Sequence, residues 1–398
     1  MKKGFLILFV YIFFFILAIE DAWSIPAFAR KYNMSCQTCH SPIPRLKSYG
    51  NDFAGSGFRL SDKEAPRYFL ETGDEILSLI RDLPLAVRFD GFLSFNFANK
   101  EQLDLGVPYI LKILSGGEIS DKLSYYFYFY LSERGELVGV EDCYLMYNNL
   151  FGTDFDIYFG QFQVSDPLFK RELRLSLEDY QIYKVKPGLS KMNYAYDRGF
   201  MFTYGFDWGT DLIFEVVNGC GLTQADASKL FDIDKHKTFI GRISQDIGEM
   251  FRIGGIVLSG QEDMSNQVSG TITNGVFSWG ADMTFHLDDV FELNLQYIQR
   301  KDDNLLLTDQ SPNGANVETK GAMAELIFTP NRDQSRWYAV SLLNWVESDD
   351  TRLNYKTATL HLGYLLRRNL RLVLEGTYNF TNANSAFGLF SVGFVSAF

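Results

Sequence analysis

The chain has 398 residues, 16% of them aromatic, and a formal charge of −12 at pH 7. That length holds one large domain or two to three ordinary ones, and the acidic balance argues against nucleic acid as a partner. Four cysteines are too few to staple a fold of this size, so they serve packing or chemistry.

The first element reads as an export signal. Lys2 and Lys3 precede an unbroken apolar run from Phe5 to Ile19, and Ala22-Trp23-Ser24 then offers small residues for cleavage. Residues 1–24 therefore form a secretory signal peptide, with Ile25 as the mature start. The run falls short of the ~20 residues of a membrane helix, and no later stretch approaches that length. Next comes a basic head. Residues 25–60 carry Arg30, Lys31, Arg45, Lys47 and Arg59 against Asp52 alone. A basic head on an acidic body suggests two parts, 25–82 and 83–398, with different partners.

Within the head stands Cys36-Gln37-Thr38-Cys39-His40. Covalent haem c needs this order: two thiols add across the vinyl groups, and the adjoining imidazole reaches the iron. On this reading Cys36 and Cys39 carry one haem c and His40 is the proximal iron ligand. A thioredoxin-like pair would sit in a βαβ pattern, which is missing. A zinc site would want two more ligands at short spacing, and none follows. Cys143 and Cys220 read as unpaired strand or loop residues.

Around the motif, Ile25-Pro26-Ala27-Phe28-Ala29-Arg30-Lys31 leads in and Pro44-Arg45-Leu46-Lys47-Ser48-Tyr49-Gly50-Asn51-Asp52-Phe53 follows. This segment resembles the start of the fused monohaem cytochrome–porins, an outer-membrane family with iron(II)-oxidising members. The family pattern runs P-x-F-A-R, C-x-x-C-H, then P-x-L-x-x-F-G-x-x-F. Tyr49 stands where Phe is usual. The resemblance implies an extracellular electron donor, iron(II) in some members, and a periplasmic cytochrome as acceptor.

From Leu83 the chain alternates apolar and polar residues with period two. Phe291, Leu293, Leu295 and Tyr297 share one face, while Glu292, Asn294 and Gln296 share the other. Leu370, Leu372, Leu374 and Tyr378 likewise oppose Arg371, Glu375, Thr377 and Asn379. A strand between lipid and water sorts residues in this way, and a helix does not. Strands are expected near 84–98, 106–116, 122–133, 136–149, 154–163, 193–206, 210–219, 236–247, 250–259, 269–287, 290–301, 317–329, 336–347, 355–367, 369–380 and 386–398. The fold class is all-β: an outer-membrane antiparallel barrel of about 16 strands behind a small haem-bearing segment.

The gaps support this. Long ones near 164–192, 220–235, 260–268 and 302–316 alternate with short turns at Asp207-Trp208-Gly209, Gly248, Asp288-Asp289 and Arg368-Asn369. Phe390, Val392, Phe394 and Phe398 share a face of the last strand, similar to the insertion signal of outer-membrane proteins. The stretch 164–192 carries Lys170, Arg171, Arg174, Lys184, Lys186 and Lys191. Gly160-Gln161-Phe162-Gln163 before it resembles phosphate-selective porins, whose third loop folds inward. A basic constriction there would favour anions, and a solvated external loop is the other reading.

Strand parity points His286, His361 and Met323 into the lumen, which makes them candidate distal haem ligands. Met34 lies too close to Cys36 to reach the opposite haem face and reads as packing, and His236 falls near an external loop. Residues 25–82 are expected to plug the lumen and carry the haem towards the outer face. Two functions follow: electron transfer from an extracellular donor to a periplasmic carrier, or anion diffusion through a barrel whose haem segment is only a plug.

Overall fold

The computed structural model describes residues 27–60, 69–70, 73, 79–80, 83–97, 102–137, 139–165, 174–381 and 387–398. The expected signal peptide and mature start lie outside them, as do Lys170 and Arg171.

From Leu85 onward sixteen strands close into a barrel. In chain order they are β1 Leu85–Asn96, β2 Gln102–Glu118, β3 Leu123–Glu133, β4 Gly139–Leu150, β5 Phe155–Gln163, β6 Tyr196–Gly205, β7 Thr210–Val217 and β8 Thr238–Ile247. The second half comprises β9 Phe251–Asn266, β10 Gly270–Leu287, β11 Phe291–Leu305, β12 Ala315–Phe328, β13 Trp337–Ser348, β14 Tyr355–Arg367, β15 Leu370–Asn379 and β16 Phe387–Ala397. Sequential strands pair antiparallel, and β16 pairs with β1 to shut the ring. Closure leaves no strand edge unpaired, which is what a sheet needs in order to cross hydrocarbon.

The period-two pattern sets which face looks out. Along β15, Leu372, Leu374 and Tyr378 are exposed on the outside, while Arg371, Glu375, Thr377 and Asn379 are buried in the lumen. Rings on neighbouring strands pack along the outer wall, as in Phe159 with Phe200, centroids 4.6 Å apart. An exposed apolar wall on a closed barrel is a lipid-facing surface.

Strand direction sends the short connections to one mouth, including 119–122, 206–209, 248–250, 288–290 and 368–369. The 288–290 turn is tight because Asp288 and Asp289 both take left-handed φ, 51° and 56°, which aspartate tolerates. The longest connections, 164–195, 218–237 and 306–314, gather at the other mouth, which also carries the three-residue turn 267–269. One expected loop is corrected: most of 260–268 is strand, since β9 runs to Asn266 and pairs with β10 down to Asn266–Gly270. The polar run Gln261-Glu262-Asp263 read as a loop because it lacks apolar alternation. Beyond the lipid a strand does not need that alternation, and here Thr273 Oγ1 donates to Asp263 Oδ1 at 2.6 Å across the ladder.

Two segments fill the barrel. Three short helices, α1 Ala27–Tyr32, α2 Cys36–Cys39 and α3 Ser48–Gly55, seat at the short-turn mouth. The connection between β5 and β6 folds inward, with a helical turn α4 at Gln181–Lys184. Its Tyr183 is fully buried in a cluster with Met192, Ile298, Met323 and Leu342. Strand residues Asp90, Glu215, Asn274, Ser278 and Thr357, spread around the lumen wall, are buried as a result. A ribbon also pairs Phe69–Leu70 with Leu79–Ile80.

Candidate functional site

The motif is built by local rules. Asn33, at φ 52°, ends α1 in the left-handed conformation, and Met34 N–H donates to Ala29 O at 3.1 Å. Ser35 caps α2, its hydroxyl accepting from Gln37 N–H at 3.4 Å. Cys36 and Cys39 then lie on one helical turn, closed by His40 N–H donating to Cys36 O at 2.9 Å. The chain doubles back through Pro42-Ile43-Pro44 so that Lys47 N–H reaches Cys39 O at 2.8 Å. Gly50 of α3 sits against that same carbonyl, and a Cβ there would collide with it. Phe53, Phe58 and Tyr32 complete a buried aromatic core with Cys39, in which Phe28 stacks on Phe58 at 4.7 Å.

His40 is held by its Nδ1, which donates to Pro44 O at 2.6 Å. With Nδ1 engaged, Nε2 is the nitrogen left for a metal. A backbone carbonyl in this role is a common way to orient a ligating imidazole. Burial keeps the ring below the usual histidine range, so it favours the neutral, ligating form. The two thiols are free, and burial raises both above the ordinary cysteine value. A disulfide-exchanging pair would want the opposite, a lowered thiol. Among the described residues no group of three or more His, Cys, Asp or Glu forms a metal cluster. Two thiols on one turn and an imidazole oriented through Nδ1 thus meet what covalent haem attachment asks of the polypeptide.

The barrel supplies the seat. Arg45 pairs with Glu292, a buried carboxylate on β11 that His286 Nδ1 also approaches at 2.8 Å. Lys47 pairs with Asp333 in the turn before β13, and Gln37 donates to the Asp333 carbonyl. Arg59 and Lys31 face Glu118 at 3.1 and 3.7 Å. Asn148 Nδ2 donates to Gly55 O at 3.0 Å, and Arg371 Nη1 to Ile43 O at 2.8 Å. Glu292, Asp333, Glu118 and Arg371 were not singled out as site residues in the sequence. Their signal is charge on lumen-facing or turn positions near the mouth where the basic head docks. The motif lies at the short-turn mouth and not towards the far one, because the inward loop already occupies the mid-lumen.

The other candidates disperse. His361 is buried with Nδ1 donating to Glu375 Oε2 at 2.7 Å and Nε2 facing Tyr338 Oη at 3.3 Å. Met323 packs in the mid-lumen cluster beneath the loop. His286 shares Glu292 with Arg45, a residue of the motif's own loop. Met34 packs on the motif's aromatic core. His236 stands near Asp263 at 3.6 Å at the long-loop end. Cys143 is exposed on β4, and Thr223 Oγ1 donates to Cys220 Sγ at 3.4 Å. Of the loop's basic residues, Arg174 and Lys184 both pair with Asp179, while Lys186 and Lys191 are exposed.

No protein-family model matches the chain, and no curated protein sequence matches it. Solved structures do. A loop-deletion mutant of OmpT from Vibrio cholerae aligns with TM-score 0.55 at 13% identity, covering 80% of this chain and 99% of that one. An anion-selective porin from Comamonas acidovorans gives 0.53 at 12%, covering 80% and 99%. OmpF of Salmonella typhi gives 0.55 at 10%, covering 79% and 97%. At these identities the likeness is one of fold: the chain is built on a porin-type, closed sixteen-stranded antiparallel β-barrel.

Proposed function

We propose that this chain is a haem c-bearing barrel of the bacterial outer membrane that passes electrons from an extracellular donor to a periplasmic carrier. Short turns and both ends of the barrel sheet face the periplasm in such barrels, so the haem segment would sit on the periplasmic side. Cys36 and Cys39 would hold the haem covalently and His40 its iron, the group supplying one-electron redox chemistry. The chain's own residues orient the imidazole through Pro44 and seat the segment on Glu292, Asp333 and Glu118. Iron(II) as donor and a c-type cytochrome as acceptor rest on the resemblance to monohaem cytochrome–porins.

The filled lumen is the observation that carries this reading. Barrels of this strand number ordinarily leave an aqueous channel, whereas here strand residues around the wall are buried beneath two inserted segments. Electrons from the long-loop side would cross packed protein where a diffusing anion would need water. The second reading, an anion porin, draws on the fold shared with an anion-selective porin and on exposed Lys186 and Lys191. Reconstituted protein decides between them. Haem staining on a denaturing gel, small single-channel conductance and haem reduction by iron(II) added to the long-loop side are expected. Free anion conductance without covalent haem would establish the porin instead.

A further inference from the structure

Four buried side chains on the lumen wall form a cluster that meets the haem segment only through Arg371. They are Arg371 and Glu375 on β15, His361 on β14 and Tyr338 on β13, each with 4% or less of its surface exposed. They form one directed chain of hydrogen bonds. Arg371 Nη1 donates to Tyr338 Oη at 2.5 Å, and Tyr338 Oη meets His361 Nε2 at 3.3 Å. His361 Nδ1 donates to Glu375 Oε2 at 2.7 Å. With the ring neutral, that bond leaves Nε2 as the accepting nitrogen, and the Tyr338 hydroxyl then donates to it. Glu375 in turn accepts Leu177 N–H at 2.7 Å and Glu178 N–H at 3.1 Å, both from the inward loop.

The other end of this chain reaches the haem motif. Arg371 Nη1 also donates to Ile43 O at 2.8 Å, and the next carbonyl, Pro44 O, accepts His40 Nδ1–H at 2.6 Å. The turn that orients the candidate iron ligand is therefore held by a buried guanidinium. That guanidinium is itself braced on Tyr338, and Tyr338 on His361 and Glu375. A buried charge-assisted bond is stronger than a neutral one, and a low local dielectric strengthens the whole chain.

We propose that Arg371 is a positioning residue for the haem ligand: it fixes the Ile43-Pro44 turn that aims His40 and sets a positive charge beside the haem segment. This rests on the haem reading. A fixed cation beside that segment would disfavour the ferric state, which carries the extra positive charge. Arg371 therefore raises the haem potential, while its grip on the turn keeps the imidazole aligned.

The test uses full-length protein in detergent or vesicles, with haem staining, spectroelectrochemical titration and the iron–histidine vibration as readouts. Arg371→Gln should keep covalent haem but lower the ferrous-to-ferric ratio at a fixed applied potential about tenfold, equivalent to 59 mV for one electron. It should also shift the iron–histidine signal. Arg371→Lys, which keeps the charge but not the fork, should restore most of the potential and little of the vibrational signature. Tyr338→Phe removes only the brace and should move both readouts the same way by less, which serves if Arg371→Gln fails to fold. Haem-loaded variants at Arg371 and Tyr338 with wild-type potential and signature would overturn the proposal. Wild-type protein without covalent haem would instead overturn the haem reading beneath it.

Discussion

The barrel holds its two inserted segments by different means. The inward loop is gripped through its backbone: Glu375 takes the N–H groups of Leu177 and Glu178, Asn344 Oδ1 takes Gln181 N–H, and Glu262 takes Lys191 N–H. Its side chains add buried bonds, Tyr180 to Glu325 at 2.6 Å and Tyr194 to Ser278 at 2.9 Å. The N-terminal segment is gripped mostly through side-chain charge at the mouth, where Lys47–Asp333 is partly exposed, Arg45–Glu292 and Lys31–Glu118 are more buried, and Arg371 takes the Ile43 carbonyl. Buried polar bonds cost heavily when one partner is removed, whereas exposed ion pairs contribute little and weaken with salt. The loop is thus a permanent filling and the segment a seated module.

The largest effect should separate the module from the barrel altogether. Cys36→Ala or Cys39→Ala should abolish haem staining while the protein still reaches the outer-membrane fraction. Loss of the barrel as well would show that segment and wall fold as one.

Next in size, Glu375→Gln together with Glu262→Gln weakens the acceptors of several loop bonds, each worth about 1–3 kcal/mol when left unmet. Single-channel conductance should rise clearly when this pair is combined with deletion of residues 27–60, because two barriers in series must both be opened. A rise with the deletion alone would make the segment the only barrier and end the idea of a second, permanent filling.

Glu292→Gln should loosen the segment by roughly 1–3 kcal/mol, because a carboxylate of 5% exposure holds Arg45 there. Cleavage of the segment by added protease should speed up, while cleavage in the loop stays unchanged. Smallest of all, Lys47→Ala should cost about 0.2–1 kcal/mol, and its effect on cleavage should vanish in molar salt. An undiminished effect in high salt would mean that the mouth pairs are not screened as surface pairs are.

How much of this could be read from the chain depends on distance along it. The strands were legible because period-two alternation is local, and Asp288-Asp289 and Asp207-Trp208-Gly209 announce their turns by residue type. The end of β9 was not, since Gln261-Glu262-Asp263 look like loop when the lipid belt is the only template. The thiols and imidazole of the motif were legible as a short string, but the partners that aim and seat them were not. Arg371, Glu375 and Glu292 appear in sequence only as the polar half of an alternating strand. Nothing local says which of them meets Ile43, Leu177 or Arg45. His361 shows the same limit: parity points it into the lumen, and only the fold reveals that Tyr338 and Glu375 engage both of its nitrogens.

The seat for the N-terminal segment also carries a temporal order. Lys47 waits for Asp333, 286 residues later, and Ile43 waits for Arg371, 328 residues later. His286 and Glu292 face one another only once β10 and β11 have paired, since they are register partners in that hairpin. Glu118 and Asn148 follow early in the chain, but the partners of Arg45, Lys47 and Ile43 do not exist until most of the sheet has been laid down. During that interval α1, α2 and α3 have only their own aromatic core to fold around, and the thiols of Cys36 and Cys39 are not yet shielded by the mouth. Any enzyme that must reach those two sulfurs has its opening then, on an undocked segment. Barrel closure afterwards would act as the step that locks a finished module in place.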